Sequence, residues 1–194
     1  MLTIGLDLAG VETRPSGFCV LHDMFAETCL VYSDEDIIKK IEDLKPGIIA
    51  IDAPLSLPKG RKSIEERTEV HLRECDRELL KRRIKFFPIT LGPMRRLTER
   101  GIKLKKILEK KCFRVIEVYP GGAQDIFGIP RKQGGLDKLR KGLERLKLIG
   151  LNERMTDHEL DAVTSAFVGK LFLECKTETL GGLDGEIIMP TKKI

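Results

Sequence analysis

Tryptophan is absent from the 194 residues, and two tyrosines with eight phenylalanines bring the aromatics to only 5% of the chain. Platforms that stack single-stranded bases interleave aromatic and basic side chains, so base-specific readout has no support in this composition. Phe86 and Phe87, beside Pro88, could stack on a base, but core packing is the expectation for both. The five cysteines (Cys19, Cys29, Cys75, Cys112, Cys175) are odd in number, scattered, and contain no Cys-x-x-Cys pair, which excludes a legible zinc or disulfide framework. They are expected as small buried hydrophobes, with an incidental disulfide only in a hyperthermophile. Asparagine occurs once (Asn152) and glutamine twice (Gln124, Gln133), while charged residues reach 34%, a thermophile-like balance. Apolar runs such as Ile48 to Ile51 stop after a few residues and cannot cross a bilayer. The start, Met1-Leu-Thr-Ile, lacks the basic segment of a signal peptide, so a soluble, cytoplasmic protein with no membrane partner is expected.

What is present is enough for one domain over 1–194 with a full core and room for an insertion. The net charge of +5 conceals an uneven distribution. Met1 to Pro58 holds 4 basic and 10 acidic residues, Lys59 to Lys111 holds 18 and 8, and Cys112 to Ile194 holds 13 and 12. A block at +10 in a chain otherwise at −5 points to a polyanionic partner. The competing reading is a solvated helical face, because Glu65, Glu66, Glu69, Glu74 and Glu78 interleave with Arg67, Arg73, Arg77 and Lys81 at pairing distances.

Leu2 to Gly10 alternates strictly and reads as a strand; Gly17 to His22 and Glu27 to Tyr32 complete an antiparallel meander. Ser33-Asp-Glu-Asp36 opens a helix that Pro46-Gly47 stops, and Gly47 to Asp52 is a continuous apolar run, the pattern of a strand buried on both faces. Within the basic block the pattern predicts helices over 64–83 and 103–111, with the Pro- and Gly-rich stretch 86–93 irregular between them. Phe113 to Tyr119 reads as a fifth strand closed by Pro120-Gly121-Gly122, and Leu136 to Ile149 as a helix. Thr156-Asp-His-Glu159 has the form of a capping box and opens a last helix to about Leu173; a turn at 181–185 and a short strand follow. The order predicts an α/β fold, a mixed five-stranded sheet flanked by helices, with a basic helical insertion at 59–111 between strands four and five.

Carboxylates stand at positions where strands disfavour them. Asp7 interrupts the first strand or caps a turn at Gly10; Asp52 ends the buried strand, where open α/β sheets place ligands, or is an ordinary strand exit. Glu117 lies inside strand five, so a cation or an arginine must be near it or it faces solvent. On the last helix Asp157 and Asp161 share a face with Ser165 and Gly169, and the opposite stripe, Leu160, Thr164, Phe167 and Leu171, is expected to pack on the sheet. Asp157 also serves the helix dipole with no ligand at all. Acids from two sheet positions and one helix, without a Cys or His cluster, make an all-oxygen environment suited to Mg²⁺ or Mn²⁺. Two such ions sharing carboxylates would serve phosphodiester cleavage, with the basic block holding the phosphate backbone.

Gly5-Leu-Asp7-Leu-Ala-Gly10, Ile51-Asp52-Ala-Pro-Leu-Ser56, Arg73-x-Cys-Asp76, Val115-Ile-Glu117-Val-Tyr-Pro120 and Asp157-His-Glu-Leu-Asp161-Ala together resemble the family of predicted RNase-H-fold nucleases catalogued as domain of unknown function 429. The resemblance implies a ribonuclease H-like fold and a metal-dependent nuclease. Its ligands would be Asp7, Asp52 and Asp161, with Asp157 as a second helix acid and Glu117 as a further acid matching the family's motif. Nucleic acid, DNA or RNA, would lie on Arg61, Arg73, Arg77, Arg82, Arg83, Arg95 and Arg96, and a resolvase-like reading implies a homodimer. Two other readings stand beside it. One is a nucleotide-dependent phosphotransferase of the sugar-kinase and actin type, with Asp7 to Gly10 and Thr13 as a first phosphate loop and Gly121-Gly122 or Gly134-Gly135 as the second. The other is a non-catalytic nucleic-acid-binding module on the same fold.

Overall fold

A computed structural model of the chain describes residues 1–191. Three antiparallel strands, β1 (Leu2–Asp7), β2 (Ser16–His22) and β3 (Phe25–Val31), lead into α1 (Asp34–Leu44). The Ser33 hydroxyl caps α1 by accepting from the Asp36 amide, and three acids fill its first turn, which suits the positive end of the helix dipole. β4 (Ile48–Asp52) then pairs parallel with β1, and β5 (Val115–Glu117) parallel with β4. The spatial order β3-β2-β1-β4-β5 is the mixed five-stranded sheet expected from the element order, flanked by helices.

Register assigns the faces. Ile4, Leu6, Ile49, Ile51 and Val115 turn to one side, where they pack with Ile37 and Ile41 of α1 and with Leu104 and Leu108 of α3 (Gly92–Lys110). Thr3, Gly5, Asp7, Ala50 and Asp52 turn to the other side, under α6 (Asp157–Leu173). That helix lies against the sheet backbone itself. A Cβ on Gly5 would come within 2.0 Å of the Ala162 carbonyl oxygen, and one on Gly17 within 2.0 Å of the His158 carbonyl oxygen. No other residue fits at either position. The small residues Ala162, Ala166 and Gly169 meet β1 and β4, with Gly169 over Ala50 and Ile48, because only small side chains permit so close an approach. Of the stripe expected on the sheet, Leu160, Phe167 and Leu171 join a cluster with Cys19 and Leu21 of β2, Ala26 of β3, and Leu139 and Leu143 of α5 (Leu136–Arg145), while Thr164 accepts from Gln124. Every residue from Leu160 to Gly169 is buried, since α4 (Pro120–Phe127) and α5 cover the side of α6 away from the sheet.

The basic block departs most from expectation. Instead of one helix over 64–83, only α2 (Glu74–Lys81) forms. The stretch before it is held open by the buried Arg61, whose guanidinium donates to the carbonyls of Ile64, Glu66 and Val70 and so takes acceptors a helix would need. α3 begins at Gly92, eleven residues earlier than expected, with Pro93 in its first turn, where a missing N–H costs nothing. Pro120 acts in the same way at the start of α4 rather than closing a turn. The two halves of the block belong to different parts of the molecule. α2 packs through Cys75 and Leu79 on the hairpin β6 (Thr177–Gly181) and β7 (Glu186–Pro190), whereas α3 covers the main sheet. Among the described residues all five cysteines are free, Cys112 and Cys175 are exposed rather than buried, and no helix is long and apolar enough to cross a membrane.

Candidate metal site and nucleic-acid interface

The final residues of β1 and β4, Asp7 and Asp52, are register partners on adjacent parallel strands. Their carboxylates share the face covered by α6, whose first two turns bring Asp157, His158 and Asp161 over the strand ends. His158 Nδ1 lies 2.7 Å from Asp7 Oδ2, and this hydrogen bond raises the imidazole pKa. Asp161 is only 6% exposed. It accepts from Gln124 of α4 at 2.8 Å and pairs with Lys132 at 3.0 Å, while the same ammonium reaches Asp157 at 3.2 Å. Burial opposes the charge on Lys132, but Asp161, Asp7 and Asp157 outweigh it and raise its pKa. Burial likewise works upward on Asp157, yet the Lys132 contact leaves that acid below its ordinary value.

Asp52 differs from the rest. No hydrogen bond from a described residue reaches its carboxylate, which lines the principal cavity. Burial, then repulsion from Asp7 and Asp161, lifts its pKa well above the usual carboxylate value. Burial also raises Asp161, against the pull of Lys132. Four aspartates thus converge on one lysine and one histidine, and the shortfall of positive charge falls on Asp52. Because Asp7 is turned to His158 and Asp161 to Lys132, no three His, Cys, Asp or Glu groups among the described residues stand together as a ready-made metal cage.

Glu117 is not part of that group. Its register partner is Ile51, so it faces the opposite side of the sheet, and the partner its burial demands is Arg73. The Arg73 guanidinium donates at 2.7 Å to each Glu117 oxygen and also to Asp76 and Ser56, and the Leu55 amide completes the set on Glu117. Both its oxygens are bonded, Oε2 to the Leu55 amide and Arg73 and Oε1 to Arg73, so Glu117 is engaged by an internal cation.

The expected nucleic-acid arginines divide. Arg61 and Arg73 are buried and spent on internal partners, which removes them as phosphate contacts. Arg82 forks onto Glu178 and Arg95 onto Glu65, both at the surface. Arg77 is exposed and donates to the Leu72 carbonyl; Arg83 and Arg96 are exposed without an ion pair among the described residues. Arg83 lines the cavity, about 1020 Å³ in volume, together with Asp52, Asp161, Lys85, Arg131, Lys132, Phe86 and Phe87. Sequence reasoning missed Lys132, His158 and Gln124. The Arg131-Lys132 pair ahead of Gly134-Gly135 was a faint signal for the first, and for Gln124 there was none. Of the glycine pairs considered as phosphate loops, Gly121-Gly122 lies within the first turn of α4 against Tyr119, and Gly134-Gly135 precedes α5; neither joins two strands.

The fold has relatives among solved structures. A Thermus thermophilus RuvC described in complex with a Holliday junction substrate superposes with a TM-score of 0.52 and 12% sequence identity, over 96% of this chain and 99% of that one. A second T. thermophilus RuvC structure gives 0.51 and 10% with the same coverage. At such identities the likeness is one of fold, the ribonuclease H-like arrangement. No curated protein sequence matches. A family profile spans residues 5–181, and the chain accordingly belongs to the family described as "Protein of unknown function (DUF429)".

Proposed function

We propose that the protein is a divalent-metal-dependent nuclease, hydrolysing phosphodiester bonds in nucleic acid, with Asp7, Asp52 and Asp161 as ligands of Mg²⁺ or Mn²⁺ and Asp157 beside them. The observation that carries this reading is the Asp52 carboxylate, which lines the cavity without a hydrogen-bond donor among the described residues and whose pKa is raised by burial and then by two neighbouring aspartates. An all-oxygen donor set with surplus negative charge suits a hard cation. When bound, such an ion would stabilise charge on the phosphate and on the leaving oxygen. The RuvC likeness in fold, including a structure holding a junction substrate, favours nucleic acid as the polyanion.

The chain's own groups have distinct tasks on this reading. His158 fixes the rotamer of Asp7, and Gln124 fixes that of Asp161. Lys132 neutralises the helix acids in the metal-free state and stands ready to meet a phosphate oxygen. Glu117, kept on Arg73, shapes the loop after Asp52 by holding the Leu55 amide. Arg83, Arg96 and Arg77 are the members of the predicted basic set that remain open to a backbone phosphate.

The test is cleavage of labelled DNA and RNA, single-stranded, paired and branched, in Mn²⁺, Mg²⁺ or chelator. Cleavage should require the metal. Asp7→Asn and Asp161→Asn should each lower it by more than about a hundredfold, beyond the range of residues that merely support a ligand, while nucleic-acid affinity is kept. Full activity in either variant, or activity in chelator, overturns the reading.

A further inference from the structure

The cavity has one wall that metal chemistry does not require. Phe87 is 69% exposed, although it is among the largest apolar side chains of the protein and was expected in the core. The exposure is imposed by its surroundings. The Lys85 carbonyl accepts from both the Tyr119 hydroxyl and the Arg131 guanidinium, which pins the chain just ahead. Phe86 is half-buried and packs on the β6–β7 side, whereas Phe87 stays outside that cluster, and both line the cavity. Phe87 thus lines the cavity from a braced segment, on a lining that also holds Arg83 and Lys85, two exposed cations with no ion pair among the described residues.

We propose that this cavity is a subsite for one unpaired nucleotide, its base stacked on Phe87 and its phosphate met by Arg83 and Lys85. The inference rests on the nuclease reading and names the substrate class of the same site: nucleic acid with a single-stranded or extruded nucleotide next to the scissile bond. The charge and the apolar face occur together, which fits a nucleotide better than an apolar peptide or a simple anion. A base in an unbroken duplex has both faces covered by its neighbours, whereas an unpaired one has a face free for an aromatic ring. The volume, about 1020 Å³, is at the upper end for a small-ligand pocket and has room for a nucleotide but not for a double helix.

Binding is measured in chelator, where no cleavage occurs, with a dye-labelled 12-mer single strand, the blunt duplex of the same sequence, and a single strand of equal charge whose bases are replaced by abasic residues. The intact single strand should bind at least about tenfold more tightly than the abasic one, stacking on an aromatic being worth about that much per base. Phe87→Ala should abolish this difference, Phe87→Tyr should keep it, and duplex affinity should not move. Phe87 is exposed, so its truncation leaves the core intact. Equal affinity for intact and abasic strands, or Phe87→Ala without effect on the intact strand, overturns the proposal. Loss of a homodimer in Phe87→Ala with single-strand affinity unchanged also overturns it and assigns the face to a second copy. Loss of metal-dependent cleavage with the stacking preference retained would count against the nuclease reading alone.

Discussion

Two groups of carboxylates gather at the carboxyl edge of the parallel strands, Glu117 of β5 with Asp76 of α2 on one face of the sheet and Asp7 and Asp52 with the acids of α6 on the other, and they are neutralised in opposite ways. On one face Asp76 and Glu117 enclose Arg73, whose guanidinium finds an acceptor for each of its nitrogens in the interior. On the other, Asp7, Asp52, Asp157 and Asp161 share Lys132 and His158, and Asp52 has neither. The first group is complete as it stands. The second is short of positive charge at an opening, which is where a bound cation would lower the free energy most. A buried acid is therefore a poor indicator of chemistry; an acid buried without its counter-charge is a good one.

The contrast can be broken from either side. Arg73→Met leaves two buried acids uncompensated and should cost about 3–5 kcal/mol of stability, measured by chemical denaturation. A cost under 1 kcal/mol would mean that the closed cluster is not a structural pair. On the open side, Asp52→Asn removes a repelled carboxylate and should stabilise the metal-free protein by about 1 kcal/mol, while removing the rise in melting temperature that Mn²⁺ is expected to give the native chain. Destabilisation, or an undiminished Mn²⁺ effect, would place Asp52 outside the cation site. The pH dependence sharpens this second comparison. A carboxylate with a raised pKa holds its proton more tightly in the folded than in the unfolded chain, so its contribution is favourable below the ordinary value near 4 and is lost as pH rises through the folded value. In chelator, the advantage of Asp52→Asn over the native chain should be absent below about pH 4 and grow above it. The smallest effect belongs to the surface: Arg82→Ala breaks an exposed pair with Glu178 and should change stability by no more than about 1 kcal/mol.

The first four strands, α1 and α6 were legible because each carries its signal locally, in alternation, in a continuous apolar run, or in the Ser33 and Thr156 caps. The Thr156 hydroxyl accepts from the Glu159 amide and Glu159 reaches back to the Thr156 amide, a pairing spelled within four residues. The basic block was not legible in the same way. Its acids and bases at helical spacing predicted a helix over 64–83, yet Arg61 bonds backbone carbonyls there and Arg73 pairs with Glu117, 44 residues away. Charge spacing along a helix records which contacts are available, while burial decides which are made. Similarly, Asp7, Asp52 and Asp161 could be picked out as acids in unfavourable positions. That Glu117 faces the other way depends on its register with Ile51, a property of the pairing between two strands.

The contact of α6 with the sheet sets a standard of length for the site. Because Gly5 and Gly17 let the helix backbone rest on the strand backbone, the height of Asp161 above Asp7 is fixed by main-chain atoms rather than by the sizes of interposed side chains. Substitutions elsewhere in the core that leave this backbone contact in place leave that height in place. The interior can accordingly drift in sequence while the acids keep their spacing, and the glycines, which bear no chemistry of their own, are the residues through which the spacing would be lost.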